Sequence, residues 1–195
     1  MIGEIENLKQ QEITKTAHQL FWKYGVKRVS VEEICREAGV SKMTFYKFYS
    51  NKIELAKAIL GDLMNLSMKR FEEIVKSDIS FSQKLEAIFM MKIEAINNFS
   101  KEFMKDLYSS PDLGLKDFLE ERSQFFSESV KKFYIEAQHQ GNIRSNVNID
   151  FVMAYSSHIA KLMENEQLMA LYDTPADFIL EVMNLLFYGI TTRTK

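Results

Sequence analysis

Residues 39–49, GVSKMTFYKFY, bring aromatic and basic side chains together in one short stretch. Lysine ammonium groups and the hydroxyls of Thr44 and Tyr46 can contact phosphate oxygens. Aromatic clusters, in contrast, usually pack in a core. On a helix Phe45 and Tyr49 lie four residues apart on one face, so we expect both to point inward. The other face then carries Lys42, Met43, Thr44, Tyr46 and Lys47, and this spacing alone fits a solvated basic face as well as contact with a polyanion.

The sequence carries no recognisable catalytic motif. It has no Gly-rich phosphate loop, no HExxH sequence and no Ser–His–Asp or His–Cys set whose spacing suggests a site. Cys35 is the only cysteine, which excludes a disulfide framework and a cysteine-based zinc site. We therefore expect no enzyme activity, no cofactor and no metal site.

Composition predicts an ordinary globular chain of 195 residues, with 46% apolar and 27% charged residues. No apolar run approaches the length of a membrane span, and the N-terminus lacks the apolar region of a signal peptide. We expect a cytoplasmic protein with no membrane segment. Residues 1–60 hold ten Lys or Arg against seven Asp or Glu, whereas the remainder is acidic. This asymmetry favours a polyanion partner for the N-terminal part.

The apolar residues follow helical spacing along the whole chain, and only seven Gly and two Pro interrupt it. We predict an all-α fold of about nine helices. Ser30 and Ser41 are placed as N-caps of two short helices, with Glu33 as capping-box partner of Ser30. The segment EAGVS joins these helices through Gly39, which fits a helix-turn-helix.

The order of residues over roughly 10–60 resembles the DNA-binding domain of the TetR family of bacterial repressors. The resemblance is carried by Ala17, Phe21, Gly25, Ser30, Ile34, Ala38-Gly39-Val40-Ser41, Thr44-Phe45-Tyr46, Lys52 and Leu55. It implies a helix-turn-helix DNA-binding domain at 1–50, with a fourth helix from about 51 linking it to a helical ligand-binding and dimerisation domain at 51–195.

The resemblance also implies that the third helix enters the major groove of operator DNA. The residues expected at DNA are Ser30, Ser41, Lys42, Met43, Thr44, Tyr46, Lys47, Phe48 and Lys52. Lys42 or Lys47 could bind guanine, while Lys52 corresponds to a phosphate contact of the family. Phe48 departs from the family, which often has His or Tyr there. Glu32 occupies a position that contacts DNA in some members, and we leave it out of the site.

The resemblance further implies a pocket for an apolar small-molecule effector in the middle helices. The residues expected to line it are Phe89, Met90, Ile93, Phe103, Met104, Tyr108, Phe126, Tyr134, Tyr155 and His158. For His158, a satisfied core or interface histidine is the favoured interpretation over a ligand contact. The last two long helices are expected to form a homodimer interface through Phe151, Ile159, Leu162, Phe178, Val182, Leu185 and Leu186.

The leading prediction is a homodimeric transcriptional repressor released from its operator by an effector. One alternative is a regulator of the same fold that has no small-molecule ligand and is constitutive or controlled by a partner protein. Another alternative is a helical adaptor that binds protein. The adaptor predicts no complex with any DNA fragment, even at low salt, which separates it from both regulators.

Overall fold

The structure is a computed structural model of the 195-residue chain. It describes residues 2–96, 99–162 and 165–190. Within these ranges, the side chains of 2–5, 92, 93, 95, 96, 156, 157, 159–161, 175, 183 and 186–190 are outside the description.

The described residues form ten α-helices and no β-strand, and nine of the helices have seven or more residues. The all-α prediction is therefore confirmed. The helices are α1 (Ile2–Tyr24), α2 (Val31–Glu37), α3 (Lys42–Phe48), α4 (Lys52–Lys76), α5 (Phe81–Ile96), α6 (Lys101–Tyr108), α7 (Leu115–His139), α8 (Ile149–Leu162), α9 (Glu166–Met169) and α10 (Pro175–Ile190), with a 3₁₀ helix at Pro111–Leu113.

The chain divides into two compact units. Unit one comprises Met1–Met64 and Asn98–Leu119, so it contains α1 to α3, the first part of α4, and α6. Its core includes side chains with no exposed surface from α1, α2, α3, α4 and α6: Phe21, Ile34, Phe45, Leu55 and Phe103. Burying one such side chain contributes about 1.5–3 kcal/mol, so these residues hold the short helices α2 and α3 in place.

Helix α6 belongs to unit one because of its contacts with α1. The ring of Phe103 stacks on Trp22 with 4.3 Å between centroids. Just before α6, the Ser100 amide donates to the Trp22 carbonyl oxygen at 2.9 Å. The turn that follows α1 is also bound to α6, since the Lys27 amide donates to Asp106 Oδ2 at 2.9 Å and Asp106 is buried.

Unit two comprises Asn65–Asn97 and Glu120–Lys195. Its core joins the second part of α4 to α5, α7, the loop after α7 and α8. The core residues are Phe71, Leu85, Ile88, Met91, Phe133, Tyr134, Ala137, Ile143, Ile149 and Val152. Helix α10 contacts α5. Within the described residues, none of the helices has both the length and the apolar character needed to cross a membrane.

These packing units do not coincide with the functional regions predicted at 1–50 and 51–195, because α6 packs with the N-terminal helices. A compact unit does not by itself define a function. The functional division therefore stays a prediction.

Candidate nucleic-acid interface

The two short helices α2 and α3 begin at the predicted serine caps. Ser30 Oγ accepts a hydrogen bond from the Glu33 amide at 3.1 Å, and Ser41 Oγ accepts one from the Thr44 amide at 3.1 Å. Each bond satisfies an amide that the first turn of the helix leaves without a partner. Gly39, in the turn between the helices, has φ +64°, a left-handed conformation that glycine adopts without strain. The predicted helix-turn-helix geometry is thus present.

Helix α3 has one face in the core and one in solvent. Phe45 has no exposed surface, whereas Met43 is 82% exposed and Tyr46 is 55% exposed. Tyr49, which caps the C-terminus of α3, is half-buried, and its hydroxyl lies 2.9 Å from Thr14 Oγ1 on α1. The expectation that Phe45 points inward is confirmed, and Tyr49 is held to α1 by a hydrogen bond. This attachment presents the outer face of α3 as a rigid surface.

The two lysines on the outer face of α3 are paired with carboxylates. Lys42 Nζ contacts Glu32 of α2, and Lys47 Nζ contacts Glu6 of α1. The hydrogen bond between Lys42 and Glu32 lowers the pKa of Glu32 and raises the pKa of Lys42. The hydrogen bond from Lys47 likewise lowers the pKa of Glu6. Both pairs lie in solvent, where such ion pairs contribute little stability. A phosphate or a base edge can therefore displace these carboxylates at small cost.

Lys52, at the start of α4, has a different environment. Its Nζ donates to the carbonyl oxygens of Lys27 and Val29, both at 2.7 Å. Burial lowers the pKa of Lys52, and the negative charge of Asp106 opposes that shift. The ammonium group therefore ties α4 to the turn after α1 with two of its three hydrogens. Its predicted contact with phosphate stays a prediction, and no local pattern in the sequence indicates these carbonyl partners.

All nine residues predicted at DNA lie in unit one. Five are exposed, namely Ser41, Lys42, Met43, Tyr46 and Lys47, and four are half-buried, namely Ser30, Thr44, Phe48 and Lys52. The hydroxyl oxygens of Ser41 and Thr44 lie 2.9 Å apart. Phe48 lies in the last turn of α3, partly covered by the protein. The exposed set forms a continuous candidate surface, and its contact with DNA remains a prediction.

Cys35 lies on the buried side of α2. Burial raises the pKa of its thiol, with the negative charge of Glu32 acting in the same direction. A raised pKa keeps the thiol protonated and poorly nucleophilic, which supports a structural role.

The residues predicted to line an effector pocket are distributed over both units. Phe103 and Met104 are buried in unit one, where Tyr108 is half-buried. Unit two contains the others. Tyr134 is part of its core and Phe126 packs against that core. Phe89 is half-buried, Met90 and Tyr155 are about half exposed, His158 is exposed, and the side chain of Ile93 lies outside the description.

His158 is satisfied within its own helix, since its Nδ1 lies 2.9 Å from the Ala154 carbonyl oxygen. In the isolated chain this histidine is exposed. It is therefore not a core histidine, and its place at an interface stays a prediction.

The predicted dimer residues have mixed exposures. Phe151 is 68% exposed, Leu162 is 44% exposed and Leu185 is 66% exposed, as an interface in the isolated chain requires. Phe178 is only 2% exposed and its ring packs on Tyr172, so it is already covered in the isolated chain, and its place at the interface stays a prediction. Val182 is half-buried, and the side chains of Ile159 and Leu186 lie outside the described residues.

Residues 13–59 match the family model described as bacterial regulatory proteins, tetR family. The chain is also similar to the HTH-type transcriptional repressor KstR2 of Mycolicibacterium smegmatis, with 23% identity over 150 residues, 75% of this chain and 73% of the relative. An HTH-type transcriptional regulator of Staphylococcus aureus is 27% identical over 160 residues, covering 69% of this chain and 85% of the relative.

Among solved structures, the fold is similar to that of a transcriptional regulator from Saccharomonospora viridis in complex with choline. The TM-score is 0.75 at 15% sequence identity, covering 94% of this chain and 98% of the neighbour. These relatives and the neighbour are transcription regulators, and the prediction that the chain is not an enzyme is confirmed.

Proposed function

We propose that the chain is a transcriptional regulator of the TetR family, acting as a homodimeric repressor released from operator DNA by an apolar small-molecule effector. The observation that carries the DNA-binding part is the two-faced helix α3, with Phe45 buried and Met43 and Tyr46 exposed. A helix fixed in this way can enter the major groove without a prior change of conformation.

In this proposal, the residues on the exposed face of α3 have two roles. Tyr46 and Thr44 donate hydroxyl hydrogens to phosphates, which positions the helix without reading sequence. Lys42 and Lys47 leave their carboxylate partners and contact guanine O6 or N7, while the Met43 side chain packs on a thymine methyl group. Phe48 supplies apolar packing only, because it has no hydrogen-bonding group.

The homodimer is supported by apolar side chains that the isolated chain leaves in solvent on α8 and α10. Phe151 and Tyr155 stack on each other with 6.2 Å between ring centroids, and both are exposed. Leu162 extends the surface on α8, and Leu180 and Leu185 are exposed on α10. Large exposed apolar groups of this kind typically mark an interface. A symmetric pair would present two α3 helices to two half-sites.

The effector part of the proposal assigns residues 1–50 to DNA binding and the helices from 51 onward to ligand binding and dimerisation. An effector releases DNA only if it binds the non-binding conformation more tightly than the DNA-binding one. Repression is supported by the repressor KstR2 as a relative, and binding of a small molecule by a neighbour of similar fold that holds choline.

Selection of bound fragments from genomic DNA tests the DNA-binding part directly. We expect a small set of related sequences with two half-sites, and a complex containing two chains. Failure to enrich any fragment at low salt would favour a protein-binding adaptor.

Sedimentation of Leu185→Glu tests the dimer. We expect a monomer with weakened operator binding, because a charge placed on an apolar interface loses its hydration there. Leu66→Glu is the matched control, since Leu66 is 55% exposed and lies on α4, which is not part of the assigned α8 and α10 surface. A dimer that persists in Leu185→Glu would contradict the assigned surface.

A further inference from the structure

Unit two contains an open cavity of about 400 Å³. Its lining includes none of the predicted pocket residues whose side chains are described. It is formed by the C-terminal end of α4, the start of α5 and the second part of α7. Its volume falls in the range of about 300–1,000 Å³ that is usual for small-molecule sites. We call it the α4–α7 groove.

The base of the α4–α7 groove is aromatic. Phe133 packs against two other rings, with centroids 5.6 Å from Phe81 and 6.0 Å from Phe71. Phe71 and Phe133 are buried, whereas Phe81 is half-buried and Ile79 is 41% exposed. The surface that a ligand would meet is therefore apolar, and covering it removes hydrocarbon from water.

Three lysines line the groove, and they differ in their partners. Lys76 Nζ lies 3.3 Å from Glu72 Oε2, and Lys84 Nζ donates to the Val75 carbonyl oxygen at 2.7 Å. For Lys132, the part of the chain that the structure describes offers no partner. Lys132 therefore presents three ammonium hydrogens to solvent at the edge of the groove.

The two carboxylates of the lining are already engaged. Glu72 is paired with Lys76, and Glu136 Oε1 accepts a hydrogen bond from Gln140 Nε2 at 2.7 Å. A cationic ligand would have to compete with these partners. An anionic ligand would meet Lys132 without displacing any group of the protein.

We propose that the α4–α7 groove binds an anionic amphiphile, whose carboxylate accepts hydrogen bonds from Lys132 and whose apolar body covers Phe81 and Ile79. This site narrows the apolar effector expected from the sequence to an amphiphile that carries an acidic group. Binding itself is independent of the proposed function, and only its effect on DNA rests on that function. A charge-assisted bond at the edge of an apolar surface sets both the class and the orientation of the ligand.

Titration calorimetry on the full chain tests the site with three compounds of one chain length: octanoate, 1-octanol and octylamine. We expect octanoate to bind about tenfold more tightly than 1-octanol, and octylamine to bind least. Lys132→Gln should abolish the preference for octanoate over 1-octanol. Lys69→Gln is the matched control, because Lys69 is exposed on α4 outside the groove lining and carries the same charge.

Ile79→Ala separates the apolar contact from the charge. Ile79 lies in the bend between α4 and α5 and is partly exposed, so its truncation should leave the fold intact. We expect it to weaken octanoate and 1-octanol alike, by about threefold. Equal affinities for octanoate and 1-octanol in the unchanged chain, tighter binding of octylamine, or an octanoate affinity that neither variant changes would overturn the proposal.

Operator binding measured with and without saturating octanoate keeps the two proposals apart. Release of DNA supports both. Calorimetric binding with no release supports the groove as a site and contradicts the effector part of the proposed function. Intact operator binding together with no heat of octanoate binding overturns the groove and leaves the DNA-binding part standing.

Discussion

The turn after α1 in unit one and the α4–α7 groove in unit two contain similar residue types. They differ in how many of their polar groups already have a hydrogen-bond partner inside the protein. In the turn, Asp106 accepts from the Lys27 amide, and the ammonium of Lys52 is bound to two carbonyl oxygens. In the groove, Lys84 is bound to a carbonyl oxygen in the same way, but Lys132 has no partner among the described residues.

This difference separates a scaffold from a binding site. A polar group whose hydrogen bonds are all made inside the protein fixes the backbone around it and has little to offer a ligand. A cation left in solvent beside apolar surface contributes little to folding and much to recognition. The turn therefore positions α3, and the groove remains available to a ligand.

The largest effects are expected at Gly25, which begins the turn after α1, and at Gly141, which lies beside the α4–α7 groove. The two glycines have nearly the same backbone conformation. Their φ angles are +81° and +78°. A Cβ on Gly25 would lie 2.6 Å from Asp106 Oδ2, whereas a Cβ on Gly141 would meet nothing within 4 Å. We expect Gly25→Ala to lower the free energy of unfolding by about 3 kcal/mol, and Gly141→Ala to lower it by about 1 kcal/mol.

Chemical denaturation followed by tryptophan fluorescence measures the first of these effects, because Trp22 is the only tryptophan and lies in unit one. Circular dichroism of the same samples reports on both units. Equal losses of unfolding free energy in Gly25→Ala and Gly141→Ala would show that the contact with Asp106 is not tight.

Lys52→Ala is expected to have the next largest effect. Two carbonyl oxygens lose their donor, so unfolding of unit one should become easier by about 2 kcal/mol. Operator affinity should fall as well, since the turn would no longer fix α4. Lys84→Ala loses a single carbonyl bond and should cost about 1 kcal/mol. An affinity loss in Lys52→Ala with unchanged stability would instead support the phosphate contact expected from the sequence.

Tyr46→Ala should change binding and leave folding alone. Its side chain is 55% exposed, so we expect a stability change within about 0.5 kcal/mol. Loss of the hydroxyl that donates a hydrogen bond to a DNA phosphate should weaken operator binding about tenfold, to a similar extent across sequences. Leu66→Ala is a control of equal exposure in unit two. Undiminished operator affinity in Tyr46→Ala would place the DNA surface elsewhere.

Glu32→Gln has the smallest expected effect, and it should strengthen DNA binding rather than weaken it. Removing the carboxylate that pairs with Lys42 should tighten binding to unrelated DNA about threefold, because the lysine no longer has to leave a partner. Glu73→Gln controls for net charge, since Glu73 is exposed in unit two. Titration of an unrelated duplex at several salt concentrations measures the change. Equal tightening in both variants would mean that only net charge matters.

The features that could be predicted from the sequence are local in the chain. Ser30 and Ser41 are caps because their partners lie three residues away, and the inward direction of Phe45 follows from the helical period. Phe48, which departs from the family pattern, is half-buried on α3.

The features that could not be predicted depend on contacts between distant segments. Lys52 reaches carbonyl oxygens 23 and 25 residues earlier, and Asp106 meets an amide 79 residues earlier. Periodicity says which face of a helix is apolar but not which neighbour covers it. For the same reason the sequence could not show that Phe178 is covered within its own unit, or that Lys132 borders an open groove.

The central claim is that the exposed face of α3 reads DNA sequence. The most direct test measures the affinity of the chain and of a Lys42→Gln/Lys47→Gln double variant for a selected operator and for a scrambled duplex of equal length. We predict that the ratio of the two affinities falls toward one in the double variant, while the midpoint of thermal unfolding is unchanged. An unchanged affinity ratio in the double variant would contradict the claim.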